Sequence, residues 1–303
     1  MATAAKAVAI VGTNASGKSA LGVAVALRFG GEVISADSRQ VYRGLDIGTG
    51  KLTREEMRGV RHHLIDVMDL DTRYSVADFQ KSAYGLIEDI TARGRLPIIV
   101  GGTGLYVRSV VDGYQLTRAR PDLALRDRLE RLANGELHQL LTELAPDAAT
   151  TIDPRNRRRI IRAIEIGEQG FSVKTSHVNA PRHEFCQLGL TWPRDVLRGR
   201  IESRLRTRLG EGMVEEVRNL LSEGVSVERL DALGLEYRFV ARFLHGEYAS
   251  EDELFGELSR AIYRFAMRQL AWFRRDETIT WLDHSRDLNG QAFELIERFL
   301  QQP

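Results

Sequence analysis

The sequence predicts an α/β protein, a parallel sheet flanked by helices with a small helical insertion and a helical C-terminal region. Three observations carry this. Short apolar runs alternate with helical patterns from residue 8 to residue 100. A polar, charge-rich helical stretch then breaks the alternation, and beyond Pro193 the pattern is almost wholly helical to Arg275. Short strands that alternate with helices need crossover connections, which belong to parallel sheets covered on both faces.

Val8–Val11 is an apolar run ending in glycine and followed by the helical segment Ser19–Phe29. Glu32–Ala36 is a second strand, Leu64–Val67 a third, and Leu96–Val100 reads as a fully buried one. Between the last two, Ala77, Phe79, Ala83, Leu86, Ile87 and Ile90 give Val76–Arg93 helical spacing. Phe185–Leu190 adds another strand after a helical detour, Pro121–Ala149, that is rich in charge and poor in large apolar residues. Arg157–Glu168 is an amphipathic helix through Ile160, Ile161, Ile164 and Ile166. The expected organisation is a first core segment over 1–115, a helical insertion over 116–150, and core completion with C-terminal helices over 151–303.

The composition of the 303 residues, 43% hydrophobic and 28% charged, is that of an ordinary globular chain and excludes disorder or a collagen-like fold. Cys186 is the single cysteine, so neither an intrachain disulfide nor a thiolate zinc cluster can form, and a reducing, cytoplasmic setting is expected. No apolar run reaches the roughly 18 residues of a membrane-spanning helix, and Met1–Lys6 does not read as a signal peptide. The 43 basic and 42 acidic residues leave a net charge of +1, but only five of the basic residues are lysines. Arginine crowds Arg155–Arg162, Arg194–Arg208 and Arg260–Arg275, which read either as solvated helix faces or as places where a polyanion binds.

Gly12-Thr13-Asn14-Ala15-Ser16-Gly17-Lys18-Ser19 fits the phosphate-loop pattern G-x-x-x-x-G-K-[ST] in its required setting, after a strand and before a helix. Glycine lets the backbone curl its N–H groups inward, and the following helix presents its positive end to the same anion. Lys18 adds a full charge, and the Ser19 hydroxyl is a ligand for Mg²⁺. The fold is thus P-loop NTPase-like, and the loop binds a diphosphate or triphosphate. It does not say which compound, or whether phosphate is transferred.

Asp37-Ser38-Arg39-Gln40 follows the second strand, and ligands of open parallel sheets sit off the carboxyl ends of strands. Asp37 is therefore a general base, an outer partner of Mg²⁺, or simply a helix N-cap or the acceptor of an Asx turn. Asp46–Lys51 and Gly101–Tyr106 project from the same edge, and Thr103 there is placed to hydrogen-bond a substrate. Val107 excludes a dinucleotide fingerprint in the second of these loops. His62 and His63, neighbours on a strand, point to opposite faces and make a poor metal site.

Together these residues resemble one family, the tRNA dimethylallyltransferases or isopentenyl-tRNA transferases. The resemblance rests on GTNASGKS (12–19), ISADSRQVYRGLDIGTGK (34–51), HHLIDVMD (62–69), YSVADF (74–79), PIIVGGTGLY (97–106), RRRIIRAIE (157–165) and RQLAWFRRD (268–276). It implies transfer of a dimethylallyl group from dimethylallyl diphosphate to N6 of the adenosine beside the anticodon of tRNA. On that resemblance the phosphate loop holds the donor's diphosphate, and Lys18, Ser19-bound Mg²⁺ and the loop N–H groups stabilise the leaving group. Asp37 matches the base, and Thr103 the residue that contacts substrate near the reacting centre. Asp37, Ser38, Arg39 and Gln40, with Arg158, Arg159, Ile160, Ile161 and Arg162, match stretches that contact tRNA, and Arg126 falls where a third contact would be. The insertion would grip the anticodon stem, and the protein would act as a cytoplasmic monomer. Thr13-Asn14 stands where the family usually shows Pro-Thr, and Leu233-Gly234-Leu235-Glu236-Tyr237 where it shows Ile-Gly-Tyr-Lys-Glu. The competing readings are a small-molecule P-loop kinase, a non-catalytic tRNA-binding relative, and a prenyltransferase that uses a free adenine nucleotide as acceptor.

Overall fold

A computed structural model describes residues 4–173 and 179–302 of the chain. It separates into two compact units, Met1–Val111 with Pro181–Pro303, and Asp112–Ala180. The first unit begins with β1 (Lys6–Gly12), α1 (Lys18–Phe29), β2 (Glu32–Ser35), α2 (Arg54–Met57), β3 (His62–His63), α3 (Val76–Ala92), β4 (Pro97–Gly101) and α4 (Gly104–Val111). The second unit holds α5 (Leu123–Glu130), α6 (Asn134–Leu144), α7 (Pro146–Thr151) and α8 (Arg157–Glu168). The chain then returns to the first unit with β5 (Glu184–Leu190), α9 (Arg194–Gly210), α10 (Met213–Ser222) and α11 (Val227–Leu233). It ends with α12 (Leu235–Leu244), α13 (Glu251–Phe273), β6 (Thr280–Trp281) and α14 (Leu288–Gln301).

The six strands form one sheet in the order β3-β2-β4-β1-β5-β6, and every pairing is parallel. The central strands are apolar almost without break because both faces are covered, and the two-residue period divides their side chains between two cores. Val8 and Ile10, in register with Ile98 and Val100, pack under Leu21 and Val25 of α1 and Ala292 and Ile296 of α14. Ala9, Val11, Ile34 and Ile99 face the opposite core, with Phe79, Ile87 and Ile90 of α3 and Ala266 and Phe273 of α13. The loops after β1, β2 and β4 therefore leave the same carboxyl edge of adjacent strands, which gathers 12–19, 37–40 and 102–104 in one place.

The second unit has its own core, in which Leu125, Leu129, Leu137, Leu141, Ile160, Ile161 and Ile164 pack together. Two of its helices, α5 and α8, start at polar caps: the Asp122 side chain accepts the Leu125 N–H at 2.9 Å, and the Asn156 side chain accepts the Arg159 N–H at 3.2 Å. The stretch read as a single helical piece over 121–149 is divided by turns into α5, α6 and the start of α7.

Two strand assignments differ from the sequence reading. The third strand lies at His62–His63 and not at Leu64–Val67, because Leu64 and Asp66 take left-handed φ values of 61° and 55° and lead the chain out of the sheet. β6 carries only two residues, Thr280 and Trp281, too few to leave a periodic signal.

Candidate active site

Glycine is required at the base of the phosphate loop. A Cβ on Gly12 would lie 2.5 Å from the Leu190 carbonyl oxygen and 2.7 Å from Ser16 Oγ. The curl itself comes from Ala15 and Gly17, with φ of 59° and 96°. Gly17 stands immediately before α1 and, among the described residues, no side chain bonds to that helix's first N–H groups, which remain available to an anion. Thr13 and Ser16 are 0% and 1% exposed, yet their hydroxyl oxygens have no partner among the described residues. Buried hydroxyls in folded proteins are almost always bonded, so two orphans in one loop fit the anion site expected there.

The loop's outward carbonyls are held by other side chains. Lys18 Nζ donates to Thr13 O at 3.2 Å, Arg200 Nε to Ala15 O at 2.8 Å, and Trp192 Nε1 to Ser16 O at 2.8 Å. The Arg200 guanidinium lies 4.6 Å from the Trp192 ring centre, so the last two contacts form one clamp. Gln269 on α13 accepts the Asn14 N–H at 2.9 Å and donates to Gly102 O at 2.9 Å, which ties the phosphate loop to the turn that carries Thr103. Burial, then the positive charges of Arg204 and Arg208 against the opposing pull of Asp37, lower Lys18 to about 8.

The turn after β2 faces this loop. Asp37 Oδ1 accepts the Arg39 N–H at 2.8 Å and the Gln40 N–H at 3.4 Å, which is the Asx turn, while Oδ2 takes part in neither bond. Thr103 Oγ1 accepts the Ser38 N–H at 3.2 Å, and among the described residues its own hydroxyl hydrogen remains free to donate. Gln40 is turned inward, accepting from Ser35 Oγ at 3.0 Å and donating to Gly50 O at 3.3 Å. That ties down the 46–50 loop, whose Ile47 and Gly48 N–H groups donate to the Glu216 carboxylate at 2.7 and 3.0 Å. Arg204 and Arg208 reach the carbonyls of Gly50 and Gly48, both at 3.3 Å. The positions that depart from the family pattern are engaged here. Tyr237 donates to Glu216 at 2.8 Å, and Glu236 lies 3.6 Å from Arg208, its carboxyl raised by burial against the pull of that arginine.

In the second unit the expected tRNA contacts fall into three groups. Arg126 forms a bidentate pair with Glu165 at 2.8 Å for each bond, and Arg162 contacts the same carboxylate and donates to Ala119 O at 2.9 Å. Glu165 is 0% exposed. Burial would raise its carboxyl, but the Arg126 bonds, the Asp122 N–H and Arg162 hold it below its ordinary value. Ile160 and Ile161 are core residues at 0% and 4% exposure, so their side chains do not face a partner. Arg158 and Arg159 are exposed and make no side-chain ion pair among the described residues.

Comparison with known proteins agrees with this architecture. A profile of the IPP transferase family matches residues 40–276. The chain is 44% identical to the tRNA dimethylallyltransferase of Symbiobacterium thermophilum, a match covering 97% of this chain and 95% of that one. The chain belongs to the IPP transferase family. The family's tRNA dimethylallyltransferase from Heliobacterium modesticaldum is 42% identical over 96% of this chain and 95% of its own. Among solved structures, the tRNA isopentenylpyrophosphate transferase of Bacillus halodurans superposes with a TM-score of 0.71 at 41% identity, covering 97% of this chain and 95% of that chain. A eukaryotic dimethylallyltransferase that acts on tRNA shares the fold, with a TM-score of 0.83 at 24% identity and coverage of 99% and 80%.

Within this IPP transferase the sequence reading passes over Trp192 and Gln269, and it takes Arg200, Arg204 and Arg208 only as members of the Arg194–Arg208 cluster. The arginines had a signal, since positions 200, 204 and 208 share one face of α9. Gln269 had only its place in the 268–276 block. No group of three His, Cys, Asp or Glu side chains able to hold a metal occurs among the described residues. His63 Nε2 sits 2.7 Å from Glu32, and His62 Nδ1 2.9 Å from Val60 O, so the histidine pair is structural. A metal at the phosphate loop would rest on the Ser19 hydroxyl and on phosphate oxygens. That donor set suits Mg²⁺, which keeps several waters and seldom takes an all-protein cage.

Proposed function

We propose that this protein transfers the dimethylallyl group of dimethylallyl diphosphate to N6 of the adenosine beside the anticodon of tRNA, with release of diphosphate. The observation that carries the reading is the junction of a donor site and an acceptor site. The phosphate loop and the Asp37–Thr103 turn share one sheet edge and are bound together through Gln269 and the Ser38–Thr103 bond. The named activity of the relatives supports the same conclusion.

In this reading Lys18 and the N–H groups at the start of α1 hold the diphosphate and stabilise the charge it gains as the C1–O bond breaks and the electron pair leaves with it. The N6–C1 bond forms, and the N6 proton passes to the carboxylate of Asp37. Thr103 directs its free hydroxyl hydrogen toward the adenine and orients it. Ser19 would hold Mg²⁺ together with phosphate oxygens, and the ion supplies further positive charge to the leaving group. An adenine amine in an anticodon loop becomes accessible when the base leaves its stack, which costs less in a single-stranded loop. Exposed Arg158 and Arg159 supply charge for the RNA backbone. No described helix is long and apolar enough to cross a membrane, and we place the reaction in the cytoplasm with the protein as a monomer.

The test is one incubation of purified protein with Mg²⁺, dimethylallyl diphosphate and unmodified tRNA, read by nucleoside mass spectrometry, beside ATP-only and AMP-acceptor controls. Prenylated adenosine in the tRNA digest is expected. Prenylated AMP with unchanged tRNA would reassign the acceptor, and ATP consumption alone would make the protein a kinase. Bound tRNA without product would make it a non-catalytic relative.

A further inference from the structure

We infer that Gln269 closes the outer end of the phosphate loop, so that the site takes a diphosphate and rejects a triphosphate. The inference rests on the phosphate-binding reading above and adds the group that sets the length of the phosphate chain. In a loop of this kind the phosphate chain runs along the backbone. The N–H groups nearest the helix hold one phosphoryl group, and earlier residues hold the next one outward. Asn14 is the third residue of the loop, and its N–H is the donor a further phosphoryl group would meet. That N–H is already given to Gln269 Oε1 at 2.9 Å. The N–H groups of Ala15 and Gly17 make no comparable bond among the described residues.

The closure is fixed in place. Gln269 is 8% exposed, and its other amide atom, Nε2, donates to Gly102 O at 2.9 Å. If the side chain swung aside, both Asn14 N–H and the amide would lose their partners in a buried place. The backbone opposite is shaped to admit it, since a Cβ on Gly102 would stand 2.6 Å from Nε2. Charge alone predicts the reverse selectivity, because Lys18, Arg204 and Arg208 crowd this edge and a triphosphate carries more negative charge than a diphosphate. Preference for the shorter anion must therefore come from a steric and hydrogen-bonding stop.

The experiment is calorimetric titration of the full-length protein, without metal, with inorganic pyrophosphate and with inorganic tripolyphosphate. The wild type should bind pyrophosphate more tightly by about tenfold or more, the scale of one lost hydrogen bond to a charged group. Gln269→Ala, which frees the Asn14 N–H and opens space beside it, should bring the two affinities within about threefold, by gain of tripolyphosphate binding. Gln269→Glu keeps an acceptor for Asn14 and sets a negative charge at the outer end, so it should weaken tripolyphosphate more than pyrophosphate. If Gln269→Ala does not fold, Gln269→Glu decides the question. Equal binding of the two anions by the wild type, or an unchanged ratio in the folded variants, overturns the inference and leaves the phosphate site standing. Failure of the wild type to bind either anion removes the phosphate site itself.

Discussion

The edge of the sheet and the inserted unit were both expected to meet substrate, and they treat their polar groups in opposite ways. At the sheet edge, carbonyls and turns are tightly held while the groups that face inward are left open. Thr13 and Ser16 hydroxyls lack partners among the described residues, burial lowers Lys18 to about 8, and one oxygen of Asp37 takes no part in its turn. In the inserted unit half of the basic groups matched to tRNA are spent. Arg126 and Arg162 both close on buried Glu165, and only Arg158 and Arg159 face outward. A residue type at a matched position thus identifies a place on the chain, whereas its bonding decides whether it is free to act. Open donors beside a rigid frame are the signature of a site.

The largest effect that would break this contrast belongs to Asp37. Asp37→Ala should lower kcat by about a thousandfold, the usual weight of a general base, while dimethylallyl diphosphate binds within about threefold of wild type. Single-turnover kinetics with a parallel binding titration separates the two. Normal turnover in this variant would confine Asp37 to its Asx turn and remove it from the chemistry.

Lys18 comes next. Lys18→Ala should cost about a hundredfold in kcat/KM for the donor, since one charge on the leaving group is lost. With Lys18 lowered to about 8, first by burial and then by Arg204, its ammonium is present below that pH and lost above it. The donor's kcat/KM should therefore fall on the alkaline side of about 8, approaching about tenfold per pH unit. Lys18→Arg, which stays charged, should lack this alkaline limb even if its plateau is lower. An identical limb in that variant assigns it to another group.

How much of this was legible depended on how local each interaction is. The phosphate loop, the amphipathic helix Arg157–Glu168 and the alternating α/β order were readable because strand, turn and helix lie within a few residues of one another. Asp37 was readable as a residue at a strand end, but its second life as an Asx acceptor was one of four open readings until the Arg39 and Gln40 N–H groups were located. Gln269 was not readable as a site residue, because Asn14, the group it serves, is 255 positions away. Ile160 and Ile161 show the converse. Their period already placed them on an apolar face, and the resemblance placed them in a contacting stretch, while the structure puts both side chains in the core.

Glu165 sharpens the contrast through stability. Glu165→Gln leaves Arg126 and Arg162 facing a neutral amide and should destabilise the inserted unit by about 3 kcal/mol, as removal of one partner from a buried pair does. The wild-type contribution has a pH sign. Burial opposes ionisation, but Arg126, Asp122 and Arg162 hold the folded carboxyl below its ordinary value. The stabilisation is therefore present above the unfolded value of about 4.3 and is lost as pH falls through the lowered one. Hydrogen exchange of α8 amides follows the unit directly, and equal protection in both proteins would show that the cluster bears little load.

The smallest effect is expected at the outward arginines, and it is the one that separates the two kinds of basic residue. Arg158→Ala and Arg159→Ala should each change stability by no more than about 0.5 kcal/mol, since neither side chain has an ion-pair partner to lose among the described residues. Each should weaken tRNA binding several-fold and reduce the slope of log affinity against log salt by about 1, which is the loss of one phosphate contact. Arg126→Ala should do the reverse, because its guanidinium is committed to Glu165: the inserted unit loosens first, and tRNA affinity falls only as far as that unit is unfolded. Binding measured below the unfolding range, across a salt series, distinguishes the cases. A stable Arg126→Ala protein with a shallower salt slope would mean that Arg126 exchanges Glu165 for an RNA phosphate, and the boundary between structural and contacting arginines would then have to be redrawn inside the cluster itself.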